Sequence, residues 1–190
     1  MPSLSASTVK AVARLKEEYA DAKDFLEKNN PSQQRIICKE PNACFFGESP
    51  TLTLTNIAFG PKTAQLWLAA QITSVVAFSG VGSVPDEDQY LDLVAIIEER
   101  WHYLKIDELQ LFFWRFKGSR YEHFYTTFEP HIILRSLETF CRERTLVYER
   151  HEQALRDIEN ERSHRESITY EEYKRRNSNF LTKTNTKENE

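Results

Sequence analysis

The sequence predicts an all-α fold: a compact helical bundle with one long C-terminal helix and a disordered tail. Three observations carry this. Apolar residues recur at three- and four-residue steps through most of the chain. Glycine is scarce, at five of 190 residues, which disfavours the many tight turns of an all-β design. Connections between the amphipathic segments are short, as in bundles. A hydrophobic share of 40% adds that most of the chain folds around a core rather than staying disordered.

The first helix is expected from about Thr8 to Glu27, capped by Ser7 or Thr8 and stopped by Asn29-Asn30-Pro31. Val12, Leu15, Tyr19, Ala22 and Leu26 give it one apolar stripe. Residues 30–60 carry a mixed signal. KEPNACFFGESPT is rich in turn formers, and TLTLTNIAF alternates as a strand would. Ser49-Pro50 equally reads as a cap and first helical turn. No second strand is evident as a partner, so a helix is the reading adopted.

Gly60-Pro61 opens an almost wholly apolar helix, PKTAQLWLAAQITSVVAF, in which Leu66, Trp67, Ala70, Val75 and Phe78 are placed centrally. Its run from Ala64 to Phe78 contains Gln65, Gln71, Thr73 and Ser74. It is too short and too polar to span a bilayer, so no membrane association is expected. SGVGSVPDEDQ is the clearest loop. A helix from about Glu87 to Tyr103 follows, with Tyr90, Val94, Ile97, Trp101 and Leu104 on one stripe, widened by Leu93.

Ile106 to Gln110 has the form of a helix start, with Asp107 accepting amide protons and Gln110 reaching back. Leu109, Phe112, Phe113 and Phe116 make its buried side, and Gly118 suits a left-handed stop. Glu129-Pro130 launches the longest helix, to about Arg165, a length of about 54 Å. Its first half carries Ile133, Leu137, Phe140 and Cys141 as a core stripe. Its second half keeps a thin seam of Val147, His151, Ala154, Leu155 and Ile158 between dense opposite charges. Thr169-x-x-Glu172 caps a last short helix through Arg176, and the tail begins at Asn177. The organisation is therefore an N-terminal helix (1–30), a helical core domain (48–145), a charged helical extension (146–176) and a disordered tail (177–190).

Chemical motifs are sparse. Cys38, Cys44 and Cys141 have no paired spacing, which fits reduced thiols in a cytoplasmic protein rather than zinc or disulfides. The N-terminus lacks the apolar stretch of a signal peptide. Glu99-x-x-His102 and Glu161-x-x-His164 have the spacing of carboxylate-bridged di-iron bundles. His164 lies in a solvated stretch, however, so these read as surface charges and no metal or other cofactor is expected. No nucleophile sits in a catalytic pattern, and no catalytic residue is assigned.

Residues 101–128 hold ten of the chain's aromatic residues, interleaved with Arg115, Lys117, Arg120 and His123. Rings that stack on bases beside cations that neutralise phosphates would suit single-stranded nucleic acid. Helical spacing argues that most of these rings fill the core, with the cations at its rim. Tyr121, Phe124 and Tyr125, in the connection, are the exceptions expected. The net charge of −4 means that any nucleic-acid contact needs a local basic patch.

The stretch from Leu91 to Arg144 resembles an uncharacterised family common in the genomes, mobile elements and phages of Bacteroidetes. Matching positions are Tyr103-Leu104-Lys105, Glu108-Leu109, Phe112-Phe113, Lys117-Gly118, Tyr121, Phe124-Tyr125, Pro130 and Glu143-Arg144. Ala58 to Gly60 and Trp67 to Ile72 fit as well. Glu122 departs from the family's glycine after the tyrosine, and Glu129 from its aspartate before proline. If the glycine serves a positive-φ turn, Glu122 requires another local geometry. The resemblance carries no catalytic residue and implies an accessory role in mobile-element or phage replication or maintenance.

The leading expectation is a non-enzymatic accessory protein that contacts DNA or a replication protein. Arg115, Lys117, Arg120, Tyr121 and His123 would meet phosphates or bases, with Phe124 and Tyr125 in support. The alternative is a protein-interaction adaptor, or a homodimer, that uses Val147, Leu155 and Ile158.

Overall fold

The computed structural model describes residues 5–82, 86–167, 170 and 172–175. Thr169 and the tail from Asn177 lie outside them. The helices are α1 (Ala6–Glu18), α2 (Ala22–Lys28), α3 (Gln34–Ile37), α4 (Pro41–Phe46), α5 (Leu52–Phe59), α6 (Thr63–Ser79), α7 (Glu87–Trp101), α8 (Ile106–Lys117) and α9 (Pro130–Glu166). A 3₁₀ turn at Pro31–Gln33 leads into α3. Among the described residues there is no strand ladder, only an isolated antiparallel bridge between Thr51 and Lys105. The all-α reading holds. The chain divides into two compact units, Met1–Arg144 and Thr145–Glu190.

Several local readings are corrected by cap geometry. The expected single helix over 8–27 is two. Tyr19 turns extended, and the Asp21 carboxylate caps α2 by accepting from the Asp24 N–H at 2.8 Å. Ser5, not Ser7 or Thr8, caps α1. The turn-rich stretch before Ser49 contains α4, with Pro41 at its first position, where the missing N–H costs nothing. Residues 52–59 are helical as read, but the cap is Thr51, which accepts from the Leu54 N–H at 3.1 Å. At the start of α8, Glu108 reaches back to the Lys105 N–H at 3.0 Å, not Gln110 to Asp107. Gly118 has φ −77, and the left-handed residue at that stop is Ser119, with φ 56.

Large side chains from α1, α2 and α4–α9 fill the core of the first unit. Phe25, Phe45, Trp67, Phe112, Phe113 and Phe140 are all fully buried. Phe140 lies 5.7 Å from the Phe112 ring and 6.1 Å from that of Phe45, joining the first half of α9 to α8 and α4. Burial of such rings supplies most of the stabilisation, about 1.5–3 kcal/mol for each Phe-sized side chain.

Polar groups inside the core are tied to one carbonyl. The Asn29 oxygen accepts from Trp67 Nε1 at 2.7 Å, Gln71 Nε2 at 3.1 Å and Gln110 Nε2 at 3.2 Å. Gln34 Nε2 donates to Gln71 Oε1 at 2.6 Å. These bonds fix the chain after α2 against α6 and α8. A second clamp joins residues 45–53 to the α7–α8 corner. Lys105 Nζ donates to the Phe45 and Gly47 carbonyls at 2.7 and 2.9 Å, and the Ile106 N–H donates to the Pro50 carbonyl at 2.8 Å.

The helix α6 departs from expectation in orientation. Trp67, Leu68, Ile72 and Val75 are buried, whereas Leu66 and Phe78 are exposed. A helix that is apolar all round has no polar face to decide which side turns outward.

Candidate functional site

The cluster centres on the C-terminal half of α8 and the connection to α9, and it separates into two groups. In the first, three of the expected nucleic-acid contacts meet one carboxylate. Glu143 of α9 accepts from Arg115 Nη1 at 3.4 Å, from Arg120 Nε at 3.3 Å and from the Tyr121 hydroxyl at 3.2 Å. Tyr121 also stacks on Phe112, with ring centroids 5.7 Å apart. Burial, followed by the nearby Glu143 charge, pushes its phenol up to about 12. Phe124, expected among the exposed rings, is buried against Phe116 and Phe128, because the connection folds back over the end of α8.

The second group is Lys117, His123 and Tyr125. Lys117 Nζ donates to Ser74 Oγ at 2.7 Å and lies 5.9 Å from the centroid of Phe78. Among the described residues it has no ion-pair partner, and burial holds its ammonium below the usual lysine range. With Val75, Phe78, Phe116, His123 and Phe124 it lines a cavity of about 250 Å³. Tyr125 is 80% exposed and packs on His123, with ring centroids 4.5 Å apart.

Phe78 and Glu143 escaped sequence reasoning at this site. Phe78 reads as core, and Glu143 lies too far along the chain for any local spacing to pair it with Arg115. Glu122, where the resembled family has glycine, forms a bidentate pair with Arg135 at 2.6 and 3.1 Å and is not left-handed.

Other arginines of the first unit are also neutralised. Arg144 pairs with the fully buried Glu108 at 2.7 Å, Arg100 with Glu138 at 2.8 Å, and Arg14 with Glu48. His102 and Glu99 are exposed, as are Glu161 and His164. Among the described residues no group of three or more His, Cys, Asp or Glu is arranged to hold a metal ion. No described helix is long and apolar enough to cross a membrane.

In the second unit, Val147 is half-buried, and Leu155 and Ile158 are 52% and 63% exposed. Leu146 is exposed as well and was not singled out from the sequence. Charged neighbours pair along the helix, Arg156 with Glu152 at 3.1 Å and Arg165 with Glu161 at 3.7 Å.

These features define an all-helical protein whose surface arginines are largely tied to its own carboxylates, followed by a charged helix bearing exposed aliphatic residues. A family of unknown function, DUF6633, matches residues 85–184, more than half of the chain, and the protein belongs to that family. The match spans α7, α8 and α9, so it includes both groups of candidate residues. No curated protein and no solved structure matches the chain.

Proposed function

We propose that this is a non-enzymatic accessory protein that acts by binding another protein through the apolar seam of α9. The observation that carries this reading is the exposure of Leu155 and Ile158, one helical turn apart, in the densely charged C-terminal half of α9. The charged side chains beside them are engaged in i,i+4 pairs along the same helix, so they form a polar margin to the aliphatic strip. The complementary partner is an amphipathic helix with an apolar stripe flanked by mixed charges, a recurrent mode of helix recognition. Electrostatics favours protein over nucleic acid. Arg14, Arg100, Arg115, Arg120, Arg135 and Arg144 each have a carboxylate partner, and a phosphate would have to displace it.

The test is comparative co-purification from the host with wild-type protein, Leu155→Glu/Ile158→Glu and Lys117→Ala/His123→Ala. A partner retained by the first and third and lost by the second supports the reading. Identical recovery with all three overturns it.

One observation favours a second reading, contact with single-stranded DNA in mobile-element or phage replication or maintenance. Among the described residues Lys117 has no carboxylate partner; it lies beside the exposed Phe78 ring and lines one cavity with His123, whose imidazole packs on the exposed ring of Tyr125. That combination suits a base and its phosphate. Single-stranded DNA affinity would then fall with rising salt and be lost in Lys117→Ala/His123→Ala, while Arg115→Ala would matter little. No binding at low salt eliminates this reading.

A further inference from the structure

The helix α6 contains no charged residue over 17 residues, yet one side of it faces solvent. Leu66 and Phe78 are 61% and 66% exposed, and Ala70, Thr73 and Ala77 are exposed between them. The positions 66, 70, 73 and 77 have a spacing that reads the same in both directions, with its midpoint between residues 71 and 72. The exposed charges flanking the two ends are of opposite sign, while half-buried Lys117 and Glu98 are bonded to Ser74 and Gln65 of α6 itself. Exposed Lys62 precedes the helix. At the other end stands the acidic start of α7, with Asp86, Glu87 and Asp88 all exposed. The level of that start is fixed by Tyr90, whose hydroxyl reaches the Ala69 carbonyl and the Thr73 hydroxyl. Residues 86–88, about one turn earlier in α7, therefore lie beside the last turns of α6.

We propose that two copies of this chain associate through α6, packed antiparallel about a two-fold axis at the midpoint of that stripe. Leu66 of each copy then faces Ala77 of the other, a large side chain against a small one, and Ala70 faces Thr73. Lys62 of each copy falls beside the acidic start of α7 in its mate, and symmetry makes this contact twice. A parallel arrangement would set lysine against lysine and acid against acid. The charge pattern thus selects both the occupant and its direction. A single-helix contact is small beside stable interfaces, so the dimer forms with rising concentration and is not obligate.

Sedimentation velocity over a concentration series tests this, with circular dichroism confirming that each variant is folded. Wild type should dimerise. Ala70→Glu, at an exposed position, should abolish the dimer, and Lys62→Glu should weaken it several-fold. Adding Glu87→Lys to Lys62→Glu should restore it. The Leu155→Glu/Ile158→Glu variant should dimerise as wild type does, which separates this interface from the seam of α9. A monomer throughout the series, or a dimer indifferent to Ala70→Glu, overturns the proposal.

Discussion

Replacing Glu143 by glutamine removes the one charge on which Arg115, Arg120 and Tyr121 converge. The Arg120 side chain is 52% exposed, so its pair contributes only a few tenths of a kcal/mol. That of Arg115 is 18% exposed, and a hydrogen bond to a charged group at such a site is worth about 1.5–3 kcal/mol at good geometry. At 3.4 Å the bond is long, so about 1 kcal/mol is the better figure. With the Tyr121 bond added, Glu143→Gln should cost about 1–2 kcal/mol. For a chain of this length that lowers Tm by about 2–8 °C. Thermal melts at neutral pH in low and high salt make the measurement, since salt erodes the exposed Arg120 share first. Alkaline titration adds a second readout. Because the Tyr121 phenol is raised from 10.0 to about 12, its contribution is complete below pH 10 and is lost as pH rises through about 12. Removing the Glu143 charge should move that loss to lower pH. An unchanged Tm, together with zero coupling between Glu143→Gln and Arg115→Met in a double-mutant cycle, would refute the view that these cations serve the fold.

The remaining predictions probe other parts of the first unit. Phe140→Ala should cost about 3–5 kcal/mol in urea unfolding, because it opens a cavity between Phe45 and Phe112; a loss below 1 kcal/mol would deny the joint described. Ser119→Gly should raise stability by about 0.5–1 kcal/mol by relieving the left-handed residue, and Gly118→Ala should be tolerated, its added carbon meeting only ordinary contacts. The Cys44 thiol is pushed up to about 12, chiefly by burial, and burial raises Cys141 as well, so a thiol reagent at pH 8 should label Cys38 first, half-buried Cys141 more slowly, and Cys44 only on unfolding. Lys117 sits below its ordinary 10.5, so the cost of burying its charge is full below the folded-state value and is relieved as pH rises toward 10.5. Lys117→Met should therefore melt no lower than wild type at neutral pH, and a clear loss would make the ammonium structural.

The legible parts of the sequence were those where period and punctuation agree. In α7 and α8 the stripe runs unbroken between acidic starts and basic ends, and Val94, Ile97, Leu109, Phe112 and Phe116 are buried as the spacing requires. The break between α1 and α2 was hidden because Tyr19 and Phe25 both remain buried across it, and an internal Asp21 gives little sign that it is a cap. In α6 the composition established a helix but could not orient it, since almost every position is apolar. The connection after Gly118 has no period at all. Nothing local distinguishes Phe124, which is buried, from Tyr125, which is exposed. The carboxylate that gathers Arg115, Arg120 and Tyr121 belongs to the next helix, and only tertiary structure brings it there.

The alternation of rings and cations in FFWRFKGSRYEHFY has a physical origin that does not require a ligand. An amphipathic helix directs its aromatic residues into the core and places its arginines at the rim of the same face, where the next helix passes. If that helix carries carboxylates at matching heights, the pair forms at the boundary between core and water, and the two helices are held in register. Arg115 with Glu143, Arg144 with Glu108 and Arg100 with Glu138 do this between α9 and its neighbours α8 and α7. A cation meant for a phosphate needs the reverse: no acid within reach, and an open approach. Within the cluster, and among the described residues, Lys117 meets the first condition, its partner being a hydroxyl, and the cavity beside it meets the second. Partner chemistry, rather than the density of basic residues, is therefore the property that separates a rim from a binding surface, and it places most of this cluster with the fold.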